Sequence, residues 1–362
     1  MVLQMREPTQ LKLAIIGDCA VDHFIRETHS RFARYSGGMD IEQILSAYRK
    51  VEDEDPRPAI LKRLGGPILT VGQYLAARDD TSNNPLPFDV SAVTILGSDP
   101  FSNEYRKALG TLGIKRDEDR DFEGSLARCA YVYDGSNPSK QVMAWEDGVS
   151  EHFKDIQVDS LFLVRQDVLV LSITEPSLAA RVATEFRRVK PEGVLVYNPG
   201  PYLQDPRYSS RVDLFKSVIE RTNILVVNRA ETGALNRKLG LNIPSLFRYK
   251  NLQVMISTRD KDGSVIHYRD SQAADHSLYS KQDPTEGLKI VDPTGAGDAF
   301  LGTFLRYYLG LPYDIKDAHR KAKENAEMQL TQTGAVHESL LKKGKLPTFN
   351  ESFGRYSFME SK

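Results

Sequence analysis

Short, almost wholly apolar runs alternate with amphipathic stretches along most of this chain. The runs cover residues 11–16, 91–96, 167–173, 193–197, 223–227 and 252–256. Runs of this length are typical of strands buried on both faces of a parallel sheet. The stretches between them, such as residues 101–112 and 176–190, have the periodicity of amphipathic helices. The alternation predicts an α/β fold with a doubly wound, mostly parallel sheet.

Two regions interrupt this alternation. Residues 26–63 are long, polar and weakly periodic, whereas residues 126–153 contain two strand-like runs on either side of a Gly-Ser-Asn-Pro turn, a pattern typical of a hairpin. We expect both regions to form a small β-rich lid over one edge of the sheet. Sheet and lid then belong to one domain, residues 1–345, and residues 346–362 form a C-terminal tail.

The composition argues against several classes of protein. A length of 362 residues with 40% hydrophobic residues allows a sizeable core, and a net charge of -1 gives no electrostatic footprint for nucleic acid. No apolar stretch approaches the ~20 residues that span a bilayer, and no signal-peptide pattern is visible. Cys19 and Cys129 lack metal-ligand spacing, which indicates free thiols in a reducing compartment. We expect a cytoplasmic protein without nucleic-acid or membrane partners.

The most specific motif is Asp-Pro-Thr-Gly-Ala-Gly-Asp at residues 292–298. It precedes an amphipathic stretch, so the small residues Gly295, Ala296 and Gly297 would form a turn at the positive end of a helix, where backbone N–H groups bind anions. With the second position left variable, the motif specifies six residues. By chance they would occur in this order in about one in a hundred thousand chains of this length.

Asp298 is unusual beside an anion site, because its own charge repels the ligand. It is expected if the ligand is a phosphoryl group and Asp298 accepts the proton of the attacking hydroxyl. In the alternative interpretation the segment is an ordinary glycine-rich turn and Asp298 stabilises the helix dipole. The complete motif favours phosphoryl transfer.

Polar residues with weaker signals follow other predicted strands. Asn228 and Glu231 follow a buried strand, where an amide and a carboxylate could hold a hydrated Mg²⁺. The same two residues equally match a capping box at the start of a helix. Asp22 follows the first strand, where it either accepts hydrogen bonds from a polyol or stabilises a turn. Gly65 and Gly66 either let a substrate approach the backbone closely or form a plain loop before a helix.

Taken together, these motifs resemble those of the ribokinase (PfkB) family of carbohydrate and nucleoside kinases, over residues 11–336. The resemblance implies a Rossmann-like core with a β-rich lid, ATP and Mg²⁺ as cofactors, and a monovalent-cation loop beside Asp292. For the phosphoryl end of the site it implies a catalytic base at Asp298 and an anion hole at Gly295, Ala296 and Gly297. For ATP and its metal it implies a Mg²⁺-associated pair at Asn228 and Glu231 and nucleotide contacts at Thr258 and Gly263. The implied acceptor contacts are Asp22, Gly65, Gly66 and Thr70.

Three departures from the family pattern concern substrate binding. Thr70 stands where members commonly carry Asn, and it lacks the two donors of an amide. The usual Thr-x-Gly nucleotide loop reads Thr258-Arg259-Asp260, which adds a carboxylate beside the expected nucleotide. Residues 26–63 are longer than the usual lid segment, which suggests altered access or a homodimer through the lid.

We therefore expect an ATP-dependent kinase that phosphorylates a hydroxyl of a small carbohydrate. A nucleoside acceptor is the alternative, because Trp145 or Tyr133 would stack on a base, although both also suit the packing of a lid. An alternative of another class is a catalytically weak relative that acts as a binding or regulatory protein, which Thr70 and Asp260 suggest.

Overall fold

The computed structural model arranges the described part of the chain into two β-sheets surrounded by helices. The described residues are 10–27, 43–44, 60–76, 88–116, 120–134, 137–259, 262–270, 275–280, 290–311 and 314–336. The strands are β1 (Leu11–Ile16), β2 (Ala20–Glu27), β3 (Ile60–Gly65), β4 (Phe88–Val93), β5 (Lys115–Arg116), β6 (Ala127–Asp134), β7 (Asn137–Glu146), β8 (Val168–Ser172), β9 (Val194–Asn198), β10 (Ile224–Asn228), β11 (Val254–Thr258), β12 (Ser264–Arg269) and β13 (Asp275–Ser280). The α-helices are α1 (Pro67–Ala76), α2 (Pro100–Leu112), α3 (Ser160–Val164), α4 (Pro176–Val189), α5 (Val212–Ile219), α6 (Arg229–Leu239), α7 (Ile243–Leu246), α8 (Ala296–Tyr308) and α9 (Ile315–Gln329). Within these ranges no helix has the length and hydropathy needed to cross a membrane.

The large sheet has the strand order β13-β12-β11-β10-β9-β8-β1-β4-β5. Its strands from β11 to β5 run parallel, and β12 and β13 extend one edge in antiparallel orientation. The predicted doubly wound, mostly parallel sheet is therefore confirmed. Strand β4 begins at Phe88 rather than at Ser91, because its first residues alternate between buried and partly exposed instead of forming a continuous apolar run.

The small sheet has the order β3-β2-β6-β7 and forms the lid. Its β6–β7 pair is the predicted antiparallel hairpin. Strand β2 was not predicted, and Asp22, expected just past the end of β1, lies within it. The reason is that β2 pairs with two strands distant in sequence, β3 and β6, so no local pattern specifies it. Most of the predicted lid segment 26–63 and the whole tail 346–362 lie outside the described residues.

The carboxyl ends of the parallel strands define where a ligand can bind. Strand β1 pairs with β4 on one side and with β8 on the other. The strand order therefore reverses at β1, because the strands that follow are added first on one side of it and then on the other. A crevice forms at such a switch point in open α/β sheets. Strand β2 begins only a short loop after β1, which places the lid sheet beside this crevice.

Candidate active site

Asp298 lies in the first turn of α8, and helix packing brings it to α1. The Thr70 hydroxyl of α1 donates a hydrogen bond of 2.8 Å to Asp298 Oδ2. The helices approach closely because α8 has a glycine at position 302, where a Cβ atom would lie only 2.7 Å from the carbonyl oxygen of Val71. The expected catalytic base and the expected acceptor contact Thr70 are thus direct neighbours.

The loop before α8 is held by the buried carboxylate of Asp292. One of its oxygens accepts hydrogen bonds from the backbone N–H and the hydroxyl of Thr294, at 2.9 Å and 2.7 Å. The other accepts from the N–H of Gly334 at 2.8 Å. Gly295 has φ +79°, and a Cβ atom there would lie 2.5 Å from the Cβ of Ala335. Contact with residues 334–335 therefore fixes the direction in which α8 begins.

Three backbone donors at the start of α8 are available for an anion. The N–H of Ala296, expected in the anion hole, donates to the carbonyl of Pro293 at 3.3 Å. The N–H groups of Gly297 and Asp298 have no acceptor among the described residues. A Cβ atom at Gly297 would meet nothing within 4 Å, so open space adjoins these donors. The N–H of Gly295 likewise has no acceptor among the described residues, so Gly295, Gly297 and Asp298 are candidate anion donors, and the expected anion hole stays a prediction.

Asp22 is 3% exposed and lies against Gly65 of the neighbouring strand. A Cβ atom at Gly65 would lie 2.2 Å from Asp22 Oδ2, so only glycine leaves room for this carboxyl group. Burial raises the pKa of Asp22 to about 8, and the charges of Asp292 and Asp298 contribute. At neutral pH the Asp22 carboxyl group is protonated, and it can both donate and accept a hydrogen bond.

Gly66 forms the turn between β3 and α1. Its φ is +82°, and a Cβ atom would lie 2.6 Å from the carbonyl oxygen of Asp18 in the loop after β1. Its carbonyl accepts the backbone N–H of Thr70 at 3.0 Å. Gly66 thus joins the lid sheet, the β1 loop and α1 at one point.

Asn228 and Glu231 form the capping box of α6. Asn228 Oδ1 accepts from the Glu231 N–H at 2.8 Å, and Glu231 Oε2 accepts from the Asn228 N–H at 2.9 Å. Asn228 Nδ2 also donates to Glu231 Oε1 at 2.9 Å. Burial, and then the charge of Asp298, raise the pKa of Glu231 to about 7. The capping box is therefore formed, and the association of this pair with Mg²⁺ stays a prediction.

Thr258 and Gly263 lie at the same sheet edge as Asn228. Thr258 ends β11 directly opposite Asn228 of β10. Gly263, with φ +83°, accepts the N–H of Arg259 at 2.7 Å and closes the turn into β12. Asp260, the departure from the nucleotide-loop pattern, lies outside the described residues.

Sequence reasoning missed the residues that align α8. Gly302 and the segment Gly334–Ala335 carry no chemistry of their own, and they act only through close approach to distant residues. A helical glycine with strong helix formers around it was the one available signal, because glycine costs about 1 kcal/mol in a helix unless packing requires it.

We expect the substitution Gly65→Ala to raise the KM for the acceptor roughly tenfold, because displacing Asp22 costs about one hydrogen bond. Steady-state kinetics with varied acceptor measures this. The matched control is Gly110→Ala in α2, where a Cβ atom meets nothing within 4 Å. An unchanged KM in a folded Gly65→Ala protein would remove Asp22 from the acceptor site.

Comparison with known proteins identifies the family of the chain. The family described as pfkB family carbohydrate kinase matches residues 75–342. The nucleoside kinase of Methanothermobacter thermautotrophicus is 30% identical over 253 residues, which cover 67% of this chain and 73% of the relative. The ribokinase of Dictyostelium discoideum is 26% identical over 306 residues, which cover 77% and 90%.

A solved structure extends the similarity to the fold. The nucleoside kinase of Methanocaldococcus jannaschii, an archaeal member of the ribokinase family, superposes with a TM-score of 0.66 at 19% identity, covering 96% of this chain and 98% of that one. The predicted ribokinase-like fold is confirmed. The chain therefore belongs to the pfkB family of carbohydrate kinases, as an ATP-dependent phosphotransferase that acts on a hydroxyl group of a small sugar or nucleoside.

Proposed function

We propose that the acceptor is a small carbohydrate whose reacting hydroxyl binds between Asp298 and Asp22. The observation that carries this proposal is the chain of contacts that relates the two carboxyl groups: Asp22 packs against Gly65, and Thr70 contacts both the carbonyl of the adjacent Gly66 and Asp298. Burial raises the pKa of Asp298 to about 6 and that of Asp22 to about 8. At neutral pH Asp298 is therefore ionised and can accept a proton, whereas Asp22 is protonated and can donate a hydrogen bond. Neighbouring acids with separated pKa values are typical of divided catalytic roles.

The reaction follows from these positions. The phosphates of ATP bind at the free N–H groups of Gly297 and Asp298, at the positive end of α8. The acceptor oxygen attacks the γ-phosphorus, the bond to the β–γ bridging oxygen breaks, and Asp298 takes the hydroxyl proton. The amides stabilise the charge on the phosphoryl oxygens. Closure of the lid sheet excludes water that would otherwise compete with the acceptor.

Asn228 and Glu231 are the residues that suit Mg²⁺. Their side-chain oxygens already take part in the capping box, so we infer contact with the metal through its water shell. Mg²⁺ supplies neutralisation of phosphate charge when it is bound. Among the described residues no group of three or more His, Cys, Asp or Glu side chains has the geometry of a direct metal site. A monovalent cation beside Asp292 stays a prediction.

A nucleoside is the second candidate acceptor, and the lid sheet favours it. Strand register puts Asp22, Cys129 and Trp145 in one row across β2, β6 and β7. Two strand spacings separate Asp22 from Trp145, about 10 Å. Trp145 Nε1 donates to Asp147 Oδ1 at 2.6 Å, which fixes the ring. A base attached to a sugar at Asp22 would then reach the indole ring.

The test is an ATP-dependent phosphorylation screen across sugars, sugar acids and nucleosides, with ADP production as readout. We expect turnover with a sugar and little change in the fluorescence of Trp145, the only tryptophan. Turnover restricted to nucleosides, with quenching of Trp145, establishes the second candidate instead. Hydrolysis of ATP without any productive acceptor would support the catalytically weak relative.

Location and assembly also stay predictions. Cys19 and Cys129 are buried free thiols, which supports a reducing compartment such as the cytoplasm. The edge strand β7 carries Met143, which is 49% exposed, and this supports the expected homodimer through the lid.

A further inference from the structure

We propose that Thr70 is a positioning residue that acts through Asp298 and does not bind the acceptor. Its hydroxyl holds Asp298 Oδ2, so that Oδ1 is left to take the acceptor proton. The inference rests on the proposed role of Asp298 as the base. It differs from the sequence-based expectation, in which Thr70 replaces a family asparagine as an acceptor contact.

The hydrogen bonds around Thr70 determine where its single hydroxyl proton points. The hydroxyl oxygen lies 2.8 Å from Asp298 Oδ2 and 3.0 Å from the carbonyl oxygen of Gly66. That carbonyl already accepts the backbone N–H of Thr70 at 3.0 Å. An ionised carboxylate is the stronger acceptor, so the hydroxyl donates to Asp298. Asp298 Oδ1 receives no hydrogen bond from the described residues.

Thr70 itself is held rigidly. It is 1% exposed, and its β-branched side chain has few rotamers in a helix. Gln73 of the same helix donates to the carbonyl of Ala335 at 2.8 Å, and the Tyr74 hydroxyl donates to Gln329 Oε1 at 3.1 Å. Helix α1 is therefore fixed to α9 and to the segment 334–335, which also contacts the start of α8. The position of the Thr70 hydroxyl, and with it that of Asp298, follows from these contacts.

Titratable groups on three elements are electrostatically coupled to Asp298. Ionised Asp298 raises the pKa of Asp22 on β2, of Glu231 on α6 and of Tyr74 on α1. Burial raises the pKa of Asp298, and the Thr70 hydrogen bond lowers it. Because a donor stabilises the ionised form, its removal raises the pKa of the base. As the pH is lowered, a variant without this donor should therefore lose activity at a higher pH than the parent protein does.

The decisive variant is Thr70→Val, which keeps the shape and removes the hydroxyl. We expect the acid limb of the kcat profile to move up by about one pH unit and the plateau kcat to fall roughly tenfold, with the acceptor KM within about twofold. Thr70→Ser should restore both. The matched control is Thr111→Val in α2, which also loses a hydroxyl bond to the carbonyl four residues earlier but touches no carboxylate.

A raised acceptor KM with an unchanged pH profile would make Thr70 an acceptor contact and overturn the inference. A second measurement needs no acceptor, namely urea unfolding of Thr70→Val and Thr70→Ser between pH 5 and 8. The stability difference should grow as pH rises through the pKa of Asp298, about 6. In the Asp298→Asn background that growth should vanish, and its persistence there also overturns the inference. Normal turnover of Asp298→Asn alone would instead overturn the proposed base.

Discussion

We expect the substitution Asp298→Asn to lower kcat by about a thousandfold and to leave ATP affinity within about twofold, since general-base catalysis contributes on the order of 10² to 10⁴. Asn keeps the size of the side chain and an oxygen that can accept the Thr70 hydroxyl, so the site geometry is retained. Only the ability to take the acceptor proton is lost. Steady-state kinetics and equilibrium binding of ATP measure the two effects separately.

The control for this variant addresses the helix-dipole interpretation of Asp298. Asp317 occupies the first turn of α9 as Asp298 occupies that of α8, and its half-exposed carboxylate forms an ion pair with Arg320. Asp317→Asn should cost about 0.3–1 kcal/mol of stability at most and leave kcat unchanged. If Asp298→Asn behaves like Asp317→Asn, its carboxylate is a helix-stabilising group and the proposed base is wrong.

We expect the substitution Gly297→Ala to lower kcat/KM for ATP by roughly a hundredfold, while the melting temperature stays near that of the parent protein. The methyl group enters the open space in front of the two free N–H groups, where it meets no protein atom within 4 Å. It therefore displaces the phosphates and nothing else. Ala keeps its backbone N–H, so the expected loss comes from the methyl group that holds the phosphates away from the donors. Losing one contact to a developing charge typically costs about 10²–10³ in rate.

Gly295→Ala provides the contrasting variant. Its φ of +79° disfavours a side chain, and the new Cβ would lie 2.5 Å from Ala335. The left-handed conformation alone costs about 1–2 kcal/mol, so the free energy of unfolding should fall. Thermal or urea unfolding of both variants checks this.

If Gly297→Ala retains normal kinetics for ATP, the phosphates do not bind at this end of α8.

Local patterns were sufficient for the motif and for six strands of the large sheet, β1, β4 and β8 to β11, but not for its edge strands β5, β12 and β13. Apolar runs such as Val168–Ser172 are buried along their whole length, so hydrophobicity alone locates them. The alternation of runs and helices then specifies a parallel sheet. The lid shows where this reasoning fails. Strand β2 contains the polar residues Asp22 and His23, both buried, and it is a strand because distant segments pair with it.

The sequence by itself determined the class of reaction, because the residues of the motif 292–298 lie next to one another and their chemistry is local. Only the tertiary structure decided which groups work together. Thr70 and Asp298 are 228 residues apart, and they meet because a glycine in α8 allows close packing against α1. Burial raises the pKa of both Asp298 and Asp22. The Thr70 hydrogen bond then lowers that of Asp298, whereas the charges of Asp292 and Asp298 raise that of Asp22 further, so tertiary surroundings and not residue identity separate the two.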